Sequence, residues 1–142
     1  EPAGIALSRQ NLTVSASATA AAEGVRAEVV FCQSMIETGW LRYGGDVIPE
    51  QYNYAGIGTT GDGVRGAYFA NVREGLRAQV QHLKAYASTE PLVNAQVDPR
   101  FGLVSRGVAP TVYDLGGRWA VPGKTYGTDI ASLMNELANY KA

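Results

Sequence analysis

Apolar side chains recur at Val25, Val29, Cys32 and Ile36, that is at i, i+4, i+7 and i+11. This spacing lines up one side of an α-helix and predicts a helix over 19–38 that buries that side. Gly24 is expected to break the segment into a short turn and a longer helix. Gly39 is expected to stop it, because glycine takes the left-handed cap conformation without steric cost. A second stripe, Leu76, Val80, Leu83 and Ala87, follows Asn71 and Glu74, the two residue types of a capping box, and predicts a helix ending near Ser88, before Pro91. A third stripe, Ile130, Leu133, Met134 and Leu137, predicts a last helix capped by Thr128.

Between these helices the pattern has no helical period. Residues 44–72 carry glycines at 44, 45, 56, 58, 61, 63 and 66 among Tyr52, Tyr54, Tyr68 and Phe69, which predicts short strands and tight turns with TTGDG at a hairpin tip. Pro99, Pro110 and Pro122 punctuate a loop-rich stretch with short helical turns near 100–105 and 110–115. Residues 1–18 mix Pro, Gly, Ser and Thr with few large apolar side chains. They read as an extended or loosely packed lead-in to a single domain over 19–142, with no amphipathic helix legible before Gly24. The expected fold is α+β, mainly α, with a small glycine-rich β lobe.

The 142 residues, 46% of them hydrophobic, suit one domain with a real core. With 12 basic and 13 acidic residues the net charge is -1, so no global field recruits nucleic acid or an anionic membrane surface. The one cysteine, Cys32, excludes an internal disulfide and cannot alone build a zinc site. No apolar stretch approaches the roughly 20 residues needed to cross a bilayer. Opening on Glu1, the chain reads as a mature or excised piece of something longer. No metal, nucleotide or phosphate-loop pattern is present, and no cofactor is expected: "GIGTTGDG" lacks both the lysine and the strand-to-helix context.

The conspicuous ionisable group is Glu37, in the last turn of the first predicted helix and followed at once by Gly39 and Trp40. Unpaired carbonyls at that helix end and apolar neighbours such as Met35 or Trp40 both disfavour its charged form, so its pKa is expected to rise. A carboxylic acid that keeps its proton near neutrality is what glycosidic cleavage needs, because the departing sugar oxygen is protonated as the bond breaks. Lysozyme works by the same logic, with its acid held against a tryptophan. Spacing alone leaves open a solvent-exposed glutamate at a helix end.

The stretch "QSMIETGWLRYGGDVIPEQYNYAGIGTTGDGVRGAYF", followed in order by "VREGLRAQVQHLKAYA", "VDPRFGLVSRGVAP" and "GGRWAVPGKTYGTDI", resembles the glucosaminidase domains of bacterial and phage cell-wall hydrolases, glycoside hydrolase family seventy-three. The resemblance runs from about Gly24 to the C-terminus. It implies a lysozyme-like fold, peptidoglycan glycan strands as substrate, and hydrolysis of the β-1,4 bond between N-acetylglucosamine and N-acetylmuramic acid. It also implies an extracellular or wall-associated site of action, by export or phage delivery, and further wall-binding or targeting modules in a longer chain. On the resemblance Glu37 matches the catalytic acid, Asn53 falls in an asparagine-plus-"GIG" stretch, and Tyr126 matches a tyrosine before a Thr-Asp pair. The second carboxylate stays open among Asp46, Glu50 and Asp62. Asp62, at the hairpin tip, either swings over a bound sugar or is a turn aspartate. A substrate N-acetyl group acting as nucleophile is a third route.

Glycan clefts combine aromatic platforms with amides and backbone polar groups. Trp40, Tyr54, Tyr113 and Trp119 are the candidate platforms, and Gln51 and Asn53 the candidate amides, alongside Tyr43, Tyr52 and Gln81. Gly56 and Gly58 would let a backbone approach the sugar. His82 is read as packed or hydrogen-bonded, Cys32 as a buried thiol, and Arg73, Arg77 and Lys84 as one solvated helix flank. Lytic transglycosylation on the same glycan and a non-catalytic wall-binding domain remain the competing readings.

Overall fold

The computed structural model describes residues 9–61 and 63–140, with side chains from Ala16 onward. Its helices are α1 (Arg9–Glu23), α2 (Ala27–Thr38), α3 (Val72–Ala87) and α4 (Tyr126–Ala138). Single 3-10 turns stand at Pro49–Gln51, Phe101–Leu103 and Val112–Leu115. α1 packs on α2 and α3, while α4 packs on α2 and on the Val112–Leu115 turn. One core joins them: Ala16 and Ala20 of α1, Val30, Cys32 and Met35 of α2, Leu76, Val80 and Leu83 of α3, and Ile130 of α4. Among the described residues no helix is long and apolar enough to cross a membrane.

The expected helices form, with corrections at their edges. Asn71 Oδ1 accepts from Glu74 N at 2.9 Å, the first half of the capping box, and starts α3. Gly24 (φ +75°) separates α1 from α2. The last helix starts at Tyr126 rather than after Thr128; Thr125 occupies the N-cap position, and the Thr128 hydroxyl bonds back to Thr125 O at 2.9 Å. Ala87 and Leu137 lie on exposed surface at the last turns of their helices, outside the stripes assigned to them.

Residues 9–18 are helical, against the extended lead-in expected for 1–18; residues 1–8 lie outside the described part. Among the described side chains of α1, from Ala16 on, the apolar ones in the core are alanines, Ala16 and Ala20, one turn apart and 1% and 0% exposed. Alanine is the strongest helix former, but a face of methyl groups gives little contrast with its polar side, so the helix leaves no stripe to read.

The β lobe is also corrected. Among the described residues no strand forms, and the only bridge is an isolated one between Gly116 and Ala120. Residues 44–61 and 63–71 are irregular loop around the Pro49–Gln51 turn, tied by Ala67 N to Ile57 O (2.9 Å) and Phe69 N to Gln51 O (2.8 Å). Positive φ at Gly56, Gly58, Gly61, Gly63 and Gly66 interrupts every extended run before a ladder can propagate. Side-chain amides supply the missing bonds. Gln51 Nε2 donates to Arg65 O (2.6 Å) and Ala67 O (3.0 Å), and Asn53 Nδ2 donates to Ile57 O (2.9 Å) and Ala67 O (3.2 Å).

The solvated flank assigned to Arg73, Arg77 and Lys84 loses one member. Lys84 is buried and its ammonium sits 2.8 Å from Glu23 Oε1 and 2.8 Å from Pro91 O. The lysine stem runs along α3 into the interface with α1 instead of outward.

Candidate active site

Glu37 is the penultimate residue of α2. A glycine cap ends the helix there: Gly39 takes φ +58°, Trp40 N bonds Met35 O at 2.8 Å and Gly39 N bonds Ile36 O at 3.4 Å. Beyond it the chain stays coiled, with Trp40, Leu41 and Tyr43 all at positive φ, a conformation non-glycine residues take rarely. Thr38 holds this coil through its hydroxyl, which accepts from Leu41 N at 3.0 Å, and its carbonyl, which accepts from Tyr43 N at 2.8 Å.

The Glu37 carboxyl meets two elements. Tyr126, the first residue of α4, donates its hydroxyl to Oε1 at 2.8 Å. On the other side Gly56 lies against Oε2: a Cβ built there would fall 2.9 Å from that oxygen and 3.2 Å from Thr59 Oγ1, so a side chain would push the carboxyl aside, and φ +66° strains any residue but glycine. Thr59 closes the loop by donating to Gly56 O at 2.8 Å.

A buried polar chain stands behind Tyr126. Gln33 Nε2 donates to Tyr126 Oη at 2.8 Å, Gln79 Nε2 donates to Gln33 Oε1 at 2.9 Å, and Ser34 Oγ lies 3.0 Å from Gln79 Oε1. Gln79 also donates to Val30 O at 3.1 Å. Gln33, Ser34 and Gln79 are fully buried and every polar atom they bury is satisfied. Because Gln33 donates to the phenol oxygen, the phenol proton is left to point at Glu37.

Burial holds the Glu37 carboxyl above its ordinary pKa, and the Tyr126 hydrogen bond pulls partly the other way. Burial, with the charge of Glu37 beside it, holds the Tyr126 phenol far above the phenol range, so it serves as a neutral donor. Cys32 is buried in the core and its thiol is pushed up to about 11 by desolvation and by Glu28, which makes it unreactive.

The other candidate residues divide. Gly56 joins Glu37 and Tyr126, and Trp119 is tied to the same loop by its Nε1, which donates to Ala55 O at 3.0 Å. Gly58 lies two residues further along that loop, against Ala67 N and Gly66. Gln51 and Asn53 are buried with both amide hydrogens on backbone carbonyls, so they shape the loop and leave none for a sugar. Tyr54 is in the core at 1% exposure. Trp40 packs edge-on against Phe31 at 6.4 Å, at the surface next to Glu37. Tyr113 packs its backbone against Gly127, next to Tyr126, and lines a larger cavity of about 950 Å³ with Val25, Leu83 and Met134. Asp62 lies outside the described residues. The residues sequence reading passed over are Gln33, Ser34 and Gln79. Their signal was available, since Gln33 and Ser34 precede Glu37 and Thr38 by one helical turn and make a polar stripe on a helix that is otherwise apolar.

The geometry is that of a desolvated carboxyl, its pKa raised, beside a glycine-lined loop. The family Glucosaminidase, described as mannosyl-glycoprotein endo-beta-N-acetylglucosaminidase, matches residues 14–139. The chain belongs to the glucosaminidase family. Family membership indicates a glycoside hydrolase. This glucosaminidase chain is 45% identical over 118 residues to an uncharacterized protein of Borreliella burgdorferi, a match covering 83% of the chain and 57% of that protein. The chain thus spans little more than half the length of this relative. No solved structure matches the glucosaminidase chain significantly.

Tyr126→Phe in this glucosaminidase removes the donor to Glu37 and strands the Gln33 amide. We expect kcat to fall about 10- to 100-fold, the scale of one buried hydrogen bond to a charged or reacting group. Since that bond lowers the Glu37 pKa, its loss moves the alkaline limb of the pH–rate profile upward. A pH–rate series on both proteins checks this; an unchanged rate with a lowered melting temperature would place Tyr126 in a purely structural role.

Proposed function

We propose that the chain hydrolyses the β-1,4 bond between N-acetylglucosamine and N-acetylmuramic acid in peptidoglycan, with Glu37 as general acid. The observation that carries this reading is the Glu37 carboxyl itself, desolvated, raised in pKa and bonded on one oxygen to Tyr126. Oε1 accepts the phenol proton, so the acidic proton belongs on Oε2, the oxygen that faces Gly56 and Thr59. A scissile oxygen placed there receives the proton as its bond to the sugar breaks. The carboxylate left behind keeps its bond to Tyr126, which steadies the new charge. Positive charge on the sugar is then met either by a second carboxyl, for which Asp62 is the loop candidate, or by the substrate's own acetamido group. Only the protonated acid works, so activity falls as pH rises through the raised pKa of Glu37.

Peptidoglycan strands as substrate place the protein's work outside the cytoplasm, at the wall, by export or phage delivery. Mass spectrometry of digested walls tests the reaction: reducing-end N-acetylglucosamine is the expected product. Anhydromuramyl ends would replace hydrolysis by lytic transglycosylation, and binding to sacculi without release of fragments would leave a wall-binding domain.

A further inference from the structure

On the same loop as Gly56 a second, smaller cavity of about 200 Å³ opens, lined by Gly56, Gly58, Thr59, His82, Arg100 and Arg118 among others. Gly56 belongs to both places, since the position of its absent Cβ is 2.9 Å from Glu37 Oε2. A sugar presented to Glu37 at Gly56 would lie at the edge of this cavity.

The cavity is built for a negative group. Arg100 runs along the loop, its Cδ 3.7 Å from where a Gly58 Cβ would stand. Tyr86 Oη donates to Arg118 O at 3.2 Å and fixes the backbone of the second arginine. Among the described residues neither arginine pairs with a carboxylate. Asp98, a carboxylate close by, is fully buried and already engaged: Oδ2 holds His82 Nδ1 at 2.7 Å and Oδ1 accepts from Arg100 N at 2.9 Å. Asp98 thus fixes the His82 imidazole in the wall of the cavity. His82 is further locked edge-on against Trp119, 4.5 Å between ring centres. Two arginines beside a small polar space match a planar, bidentate anion.

We propose that this cavity binds a carboxylate on the side arm of the muramyl residue flanking the scissile bond. The proposal rests on the peptidoglycan reading above, since chitin-type glycans carry no such arm. The carboxylate has two sources, the lactyl ether in peptide-free strands and the stem peptide in intact ones.

Binding in a Glu37→Gln background, which keeps the glycan uncut, tests the proposal apart from catalysis. Calorimetric Kd values are compared with and without Arg100→Gln and Arg118→Gln for peptide-free muramyl glycan, peptide-bearing glycan and chitin oligomers of equal length. Loss of two charge-assisted contacts is expected to raise the Kd for muramyl glycan about 10- to 100-fold, with a much smaller change for chitin oligomers. A rise confined to peptide-bearing strands assigns the carboxylate to the peptide, and a rise on peptide-free strands assigns it to the lactyl group. Equal shifts for muramyl glycan and chitin, or none for either, would overturn the proposal. Both arginines are exposed, so the variants are expected to keep the fold, which a melting curve checks. Failure of the hydrolase reading gives a different result: selective binding by this background while the unaltered chain releases no fragments from walls.

Discussion

On the proposed mechanism Glu37→Gln is expected to lose at least about 100-fold in turnover on purified walls, the lower bound for removing a positioned general acid. Glutamine keeps the shape and still accepts from Tyr126 Oη, so the loss is chemical rather than architectural. The same change is expected to stabilise the fold near neutral pH. Burial holds the Glu37 carboxyl above the ordinary carboxylate range, so the folded chain retains a proton that the unfolded chain releases. Ionisation of Glu37 therefore subtracts stability as pH rises from the ordinary value through the raised one. The variant lacks that loss; it should melt with the parent at about pH 4 and above it at neutrality. Digestion assays and calorimetry across pH read both effects. Full lytic activity in the variant would remove Glu37 from the mechanism.

Lys84→Met is expected to cost about 3–5 kcal/mol, the penalty for leaving one partner of a buried ion pair uncompensated. For a domain of this size that lowers the melting temperature by about 10 °C or more. Glu23 would remain in place with its side chain fully buried, still accepting from Val93 N at 2.9 Å and Asn94 N at 3.0 Å but without its ammonium. Burial alone pushes the Glu23 carboxyl upward; Lys84 and the two amides outweigh it, and the pKa lies below the ordinary value. The pair therefore contributes stability above the ordinary carboxylate range and loses it as pH falls through the lowered pKa. Denaturation at neutral and acidic pH checks the sign: the deficit of the variant is expected to shrink on acidification, as protonation of Glu23 removes the orphaned charge. A deficit independent of pH would assign the loss to packing of the lysine stem.

Which of these features the sequence could disclose depended on contrast. α3 was legible because a capping asparagine and a stripe of large apolar residues set it off from the glycines before it and the proline after it. Glu37 and Tyr126, 89 positions apart, were joined by family resemblance, and the 2.8 Å bond between them is a tertiary fact that no local spacing encodes. α1 escaped because the apolar residues it is seen to place in the core, Ala16 and Ala20, are alanines. Lys84 looked like its solvated neighbours Arg73 and Arg77, since only the distant Glu23 distinguishes it. The glycine-rich segment suggested strands from its tyrosines and turns, yet Gln51 and Asn53 satisfy its backbone in place of a ladder. Amides marked there as sugar ligands proved to be loop scaffolding.

The acid does not depend on α2 alone. α3 reaches it through Gln79 and α4 through Tyr126, with Gln33 closing the link between them. Glu37 is thus stapled at a seam where three helices meet, and separating any one of them breaks the path that aims the phenol proton. Inactivation on heating would then report the melting of the whole domain rather than the loosening of one loop, with no interval in which a folded but idle species accumulates.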